Sequence, residues 1–278
     1  MQAPAVPDDE VYRLSALRSL GVLDSDPEPD FDTIVGLGRA LFQVPICLVS
    51  LIDEQRQWFK ARLGLPVLET GRDISLCGHA ILGDDVFTVL DAAEDERFHD
   101  NPLVLGAPFI RFYAGAPIRL PSGYKIGTVC IISPEPRDRF DEEQKSLLKG
   151  LADLAVNAFA LRALRREMDQ ARRIAERYRA AILTAPLPMA LTDPEGVIQE
   201  ANPPFEAICE TPPEGHAVTT LLAPLRGLWP PDQLAITDGG AIALPPHGKL
   251  FVYPDLQGYL LVVERRARPR AKPAANSA

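Results

Sequence analysis

The chain has 278 residues, 29 Lys and Arg against 38 Asp and Glu, a formal net charge of −9, and 46% hydrophobic residues. That length favours two domains with apolar cores, and the acidic balance argues against a protein built around nucleic-acid binding. No apolar run reaches the ~18 residues of a membrane span, and MQAPAVPDDE has no leader character, so a cytoplasmic protein without membrane contact is expected.

In chain order, residues 1–9 read as a disordered tail. Val11, Leu14, Leu17 and Leu20 recur on one face of a first helix that Gly21 ends. A loop marked by Pro27 and Pro29 leads to a second helix, about Phe31 to Phe42. The period then changes: Ile46 to Ile52 is a continuous apolar, β-branched run, as in a buried strand, and Gln57 to Ala61 returns after a turn at Asp53 to Arg56. Ser75 to Leu82 reads as helix and Val86 to Leu90 as a short strand. The polar stretch from Asp91 to Pro108 is a long loop, a kind more often functional than idle. Two strands, Ile110 to Leu120 and Lys125 to Ile132, form a hairpin around Pro121-Ser122-Gly123.

From Asp141 to Leu183 little interrupts a helix. Leu147, Leu151, Leu154, Ala158 and Leu161 step by 4, 3, 4 and 3, and Leu164, Met168, Ala171, Ala175, Tyr178 and Ile182 continue the seam after a discontinuity at Leu161. Arg162, Arg165, Arg166, Arg172, Arg173, Arg177 and Arg179 surround it. A narrow apolar stripe on a charged helix predicts a parallel homodimer through 147–182; packing on its own domain is the alternative. After Pro186 the order is strand, tight turn at Asp193 to Gly196, strand, then a helix opened by Pro203 and capped by Asn202. Further strands are expected at 242–244, 250–253 and 259–264, and 266–278 reads as a disordered basic tail.

The chain has no GxSxG, HExxH, P-loop or dinucleotide fingerprint. Its four cysteines, Cys47, Cys77, Cys130 and Cys209, are single and widely spaced. Cys77 and His79 lie two residues apart at a helix start, about 200° around its axis, and do not readily chelate one ion. No metal or cofactor is expected. A helix N-terminus can lower the Cys77 pKa, but no resolving cysteine is evident from the spacing.

One succession of motifs is specific: Arg13-Leu14, VSLID with RQWFK (49–60), Arg72-Asp73 before Cys77-Gly78-His79-Ala80, Asp91 with Arg97-Phe98, Asn101-Pro102, Arg111-Phe112-Tyr113 with Gly115, and IGTVC (126–130). It resembles a GAF domain, the small-molecule sensing module of bacterial signalling proteins, in the subgroup fused to sensor kinases and diguanylate cyclases. The order after Pro186 resembles the opening of a PAS domain. The resemblance implies an α+β class. A GAF-type antiparallel sheet with flanking helices is expected over 10–140, a connecting signalling helix over 141–183, and a smaller PAS-like α+β domain over 184–265.

It also implies a non-catalytic sensor, with a small molecule or nucleotide in the GAF pocket and a histidine kinase, diguanylate cyclase or other output protein engaged in trans. Trp58, Lys60, Arg72, Cys77, His79, Asp91, Arg97, Arg111 and Tyr113 are the candidate ligand-binding residues. Lys60, Arg72, Arg97 and Arg111 suit an anionic ligand, yet Asp53 and Asp91 are equally placed to pair with them. The aromatics alternate between two sheet faces, so core packing competes with ligand contact. A dimerisation scaffold with a vestigial pocket and a GAF-fold redox enzyme are the competing functions; the missing second thiol argues against the latter.

Overall fold

The computed structural model describes residues 1–209, 212–217, 241–244, 248–255 and 258–265. The chain divides into two compact units, 1–167 and 168–278. The architecture is α+β, as expected.

The first unit opens with α1 (Glu10–Ser19) and α2 (Pro29–Phe42), followed by β1 (Ile46–Ile52), β2 (Arg56–Leu63), β3 (Glu69–Gly71), α3 (Leu76–Ala80), β4 (Phe87–Val89), α4 (Pro102–Leu105), β5 (Phe112–Arg119) and β6 (Lys125–Ser133). The strands form one antiparallel sheet in the order β3-β2-β1-β6-β5-β4. Strand alternation divides its side chains between two cores. Cys47, Val49 and Leu51 of β1 pack under the long helices with Phe31, Ile34 and Phe159. Ile46, Leu48 and Ile52 face the other way, against Leu76, Cys77, Phe98, Tyr113 and Cys130. Short helices cap that second face: Ser75 accepts from the Gly78 amide to start α3, and Asn101 accepts from the Leu103 amide to start α4.

Register in β1–β2 slips between Val49 and Ser50, which pair with Ala61 and Phe59, leaving Lys60 as the extra residue of a bulge. Trp58, Phe59 and Lys60 alternate between the helix-side core, the opposite core and the helix side, and the bulge returns Ala61 to the helix side as well.

The helix α5 (Glu142–Thr184) carries two apolar stripes. Leu148, Leu151, Ala152, Ala155, Ala158 and Phe159 are buried in the first unit's core. Leu147, Leu154, Leu161, Leu164, Met168 and Tyr178 are exposed. The expected seam mixed the two. Once Leu151 and Ala158 are assigned to the inner face, residues 147, 154, 161, 168, 175 and 182 form an unbroken seven-residue repeat, and the discontinuity at Leu161 disappears.

Two further expectations are corrected. Arg162, Arg165 and Arg166 are not free outer residues: Arg162 pairs with Glu28 (2.7 Å), Arg165 with Asp30 (2.8 Å), and Arg166 donates to the Leu20 and Gly21 carbonyls. The segment expected as a free tail lies on the domain. The Gln2 amide donates to the Arg97 carbonyl (2.9 Å), His79 Nε2 lies 3.0 Å from the Gln2 carbonyl, and a Cβ on Gly78 would strike Pro4. The tail expected at 266–278 lies outside the described residues.

In the second unit β7 (Met189–Thr192), β8 (Ile198–Ala201), α6 (Pro203–Glu206), β9 (Ala241–Leu244), β10 (Gly248–Asp255) and β11 (Gly258–Arg265) build a sheet in the order β8-β7-β11-β10-β9. Ala190, Ile198, Phe205, Leu250, Leu261 and Val263 form its core. Asn202 is fully buried. It caps α6 through the Phe205 amide and donates to the carbonyls of Ile182 and Leu187, fastening the last turn of α5 to β7.

Candidate ligand pocket

The helix-side face of the first sheet is sealed by long helices. The opposite face has only α3, α4 and loops, which are too short to fill it, and a cavity of about 260 Å³ remains. Its floor is Leu48 of β1, Phe59 of β2, Tyr113 of β5 and Ile132 of β6. Leu76 and Cys77 of α3, Leu103 of α4, and Leu65, Val67 and Pro108 form the walls.

Polar groups in it are few. The Gln57 side-chain oxygen already accepts from the Ser75 hydroxyl behind it, and the Tyr113 hydroxyl donates to Cys77 Sγ (3.2 Å). The Thr70 hydroxyl is buried and has no hydrogen-bond partner. Glu69 stands exposed at the edge, and among the described lining residues none is cationic.

Of the sequence candidates, only Cys77 and Tyr113 reach this cavity. Trp58 is in the other core. The Lys60 side chain is fully buried and donates to Ser25 Oγ (2.9 Å), the Asp26 carbonyl (2.7 Å) and Glu28 Oε1 (2.6 Å), with the Phe31 ring 5.3 Å away. Burial pushes the Glu28 pKa up, but its hydrogen bonds from Lys60 and Arg162 outweigh that and hold it low.

Arg72 reaches Glu10 (2.5 Å), which also holds the buried Arg13 through two hydrogen bonds of 2.7 and 2.8 Å. Against the opposing effect of burial, these two guanidinium groups lower the Glu10 pKa from 4.5 to about 2. Arg97 pairs with Asp95 (2.7 Å) and lies 5.0 Å from the rings of Phe87 and Phe98. His79 packs edge-on to Phe98 at 5.0 Å, and burial lowers its pKa. Asp91 and Arg111 pair with each other. The cationic candidates are thus occupied by carboxylates, and the anion-binding expectation finds no free cation at the cavity.

The structure adds residues that the sequence did not single out, the Thr70 donor and the walls at Leu65, Leu103 and Pro108, and it corrects the expectation of a missing second thiol, since Cys130 Sγ lies 3.6 Å from that of Cys77. Gly115 permits the Tyr113 pose, because a Cβ there would collide with the tyrosine hydroxyl. Among the described residues no cluster of His, Cys, Asp and Glu is arranged to hold a metal, and no helix is long and apolar enough to cross a membrane.

Residues 26–159 match the GAF domain family model, and residues 176–239 match a PAS domain model. Over 156 residues, 56% of the chain, the sequence is 43% identical to "Cyclic di-GMP phosphodiesterase PA2567" of Pseudomonas aeruginosa. The chain spans about a quarter of that relative, the match covering 27% of its length. Among solved structures, the GAF domain of an Acinetobacter phosphoenolpyruvate-protein phosphotransferase aligns at 21% identity over 55% of this chain and 94% of its own, with a TM-score of 0.41. The E. coli DhaR(N)–DhaL complex aligns at 15% identity over 95% of this chain and 92% of that chain, with a TM-score of 0.46.

Proposed function

We propose that this chain, a GAF domain followed by a PAS domain, is a non-catalytic sensor. Its GAF pocket takes a small, uncharged, largely apolar molecule with one hydrogen-bonding group. The observation that carries the reading is the cavity itself: about 260 Å³, apolar walls, one unpartnered buried hydroxyl at Thr70 and no lining cation. A dry cavity of ~150 Å³ admits benzene, so this volume suits a molecule of one or two rings. It offers nothing to neutralise a nucleotide's phosphates.

A route from pocket to helix supports signalling. Gln57 and Phe59 of β2 line the cavity, and the next residue, Lys60, holds Glu28, which in turn holds Arg162 of α5. A ligand that shifts β2 would strain this bridge, and its differential affinity for the two arrangements sets how far the equilibrium moves. The exposed stripe on α5 fits a parallel homodimer, which would carry the state to the PAS domain and to a cytoplasmic partner such as a histidine kinase or a diguanylate cyclase. The signalling name of the Pseudomonas relative supports that setting.

Thermal unfolding of the full chain with indole, phenol, benzene and cyclic di-GMP tests the reading. A bound ligand at 100 times its Kd adds ~2.7 kcal/mol, or roughly 5–10 °C in Tm for a domain of this size. Indole or phenol is expected to stabilise the protein, and the Leu103→Trp variant, which fills the cavity from its half-buried wall, should lose the shift. Stabilisation by cyclic di-GMP alone would refute the apolar reading. No shift with any of the four would favour a dimerisation scaffold, for which the exposed stripe on α5 is the supporting feature.

A further inference from the structure

Beside the cavity lies a buried polar cluster that ligand binding does not explain. Cys77 of α3 and Cys130 of β6 are 53 residues apart in sequence, yet their sulfurs are 3.6 Å apart. Tyr113 donates to Cys77. Ser50 of β1 and Thr128 of β6 stand opposite each other across the ladder, on the same sheet face as Cys130. Both are fully buried, and neither hydroxyl has a hydrogen-bond partner. Buried unpaired hydroxyls are costly and uncommon.

Burial raises the Cys77 pKa, but hydrogen bonding, led by Cys130 and joined by Tyr113, outweighs it and brings the group to about 7. The Cys130 thiol is pushed up, first by burial and then by the neighbouring Cys77. The five-residue α3 is too short for its end to account for this, so the cluster is responsible. Cys77 also lines the cavity, which reaches the surface past Pro66, Val67 and Ala107. A small oxidant therefore has a path to one sulfur and not directly to the other.

We propose that Cys77 and Cys130 form a reversible dithiol–disulfide pair, with Cys77 the attacking thiol and Cys130 the resolving one, and with hydrogen peroxide or a small alkyl hydroperoxide as oxidant. The Cys77 thiolate attacks the outer peroxide oxygen, the O–O bond breaks, and Cys77 becomes a sulfenic acid as hydroxide or alkoxide leaves. Cys130 sulfur then attacks Cys77 sulfur. Its thiol proton and the sulfenic hydroxyl leave as water, and two electrons have passed from the two thiols to one peroxide. Closing the gap to the ~2.05 Å of a disulfide requires rotation about the two Cα–Cβ bonds and a small shift of α3 toward β6. Tyr113 then loses its acceptor, so oxidation remodels the pocket floor. The pair needs the cavity only as a route, whether or not an apolar ligand binds there.

The test uses the full reduced chain treated with a few equivalents of hydrogen peroxide, blocked with N-ethylmaleimide, digested with trypsin and mapped by mass spectrometry. Peptide 73–97 contains Cys77 and peptide 126–137 contains Cys130. The expected product is these two peptides joined, two hydrogens lighter and separated by dithiothreitol. Cys47 serves as an internal control: it lies in the other core, and burial raises its pKa to about 12. It should be labelled only after unfolding. In Cys130→Ser the reaction should stop at a Cys77 sulfenic acid trapped by dimedone, and Leu103→Trp should slow wild-type cross-linking by tenfold or more. The wild-type result stands even if the serine variant fails to fold. Cys77 advancing to sulfinic acid while Cys130 remains a thiol would overturn the proposal. So would both thiols surviving the peroxide intact, or Cys77 linking to Cys47 or to another chain.

Discussion

Replacing Glu28 by Gln removes the carboxylate that joins β2 to α5. The Lys60 side chain is fully buried and would keep only neutral acceptors, Ser25 Oγ, the Asp26 carbonyl and the new amide oxygen, while Arg162 would lose its carboxylate and keep the Leu20 carbonyl. Breaking a buried ion pair by removing one partner costs ~3–5 kcal/mol. Glu28 is 28% exposed and the neutral acceptors remain, so a cost of about 2–3 kcal/mol is expected. In Lys60→Met the apolar end packs against Phe31 and Glu28 keeps Arg162, so about 1 kcal/mol is expected. The double variant should lose little more than Lys60→Met alone, giving a coupling of about 1.5–2 kcal/mol. Urea unfolding in a Trp229→Phe background reads the first unit through the buried Trp58. Additivity of the two changes to within ~0.5 kcal/mol, or a Glu28→Gln cost below that, would refute the bridge.

Three further outcomes are expected. Glu10 titrates near 2 when folded, below its ordinary 4.5. Its contribution is therefore complete above pH ~4.5 and lost as pH falls toward 2; after solvent screening it amounts to about 1–2 kcal/mol, and acid titrations followed by circular dichroism should lose that component in Glu10→Gln. Leu154 and Leu161 are 47% and 41% exposed on the outer stripe. Lysines there should give monomers in sedimentation velocity with the Tm of the isolated subunit little changed, whereas Leu151→Ala should lower Tm by several degrees. Gly115→Ala should displace the Tyr113 ring, cost about 1–3 kcal/mol in thermal unfolding and abolish any indole-induced shift.

The helices α1, α2, α3, α5 and α6, the longer strands of the first sheet and the order of the two domains could be read from hydrophobic period, caps and motif succession. Asn202 at the start of α6 and the apolar run of β1 are examples. The short β3 was not expected, and the one-turn α4 lies inside the stretch expected as a loop. The charge pattern misled. Arg72, Arg111 and Lys60 stood out as ligand donors, but their partners Glu10, Asp91 and Glu28 lie 62, 20 and 32 residues away and meet them only in the folded sheet. The bulge that puts both Lys60 and Ala61 on the helix side leaves no trace in the composition of β2. On α5 two stripes four residues apart share one period, and only burial separates Leu151 and Ala158 from Leu147, Leu154 and Leu161. Alternation along β6 could have placed Thr128, Cys130 and Ile132 on one face. It could not say that α3 would bring Cys77 against them.

Amide hydrogen exchange of the full chain, with and without saturating indole, tests the central claim most directly. The account predicts slower exchange in the pocket walls, 57–70 and 103–110, together with a change in α5 around 159–166, where Arg162 holds Glu28. Unaltered exchange in the pocket walls would contradict the apolar sensor, and protection of the walls with α5 untouched would contradict the coupling through Lys60 and Glu28.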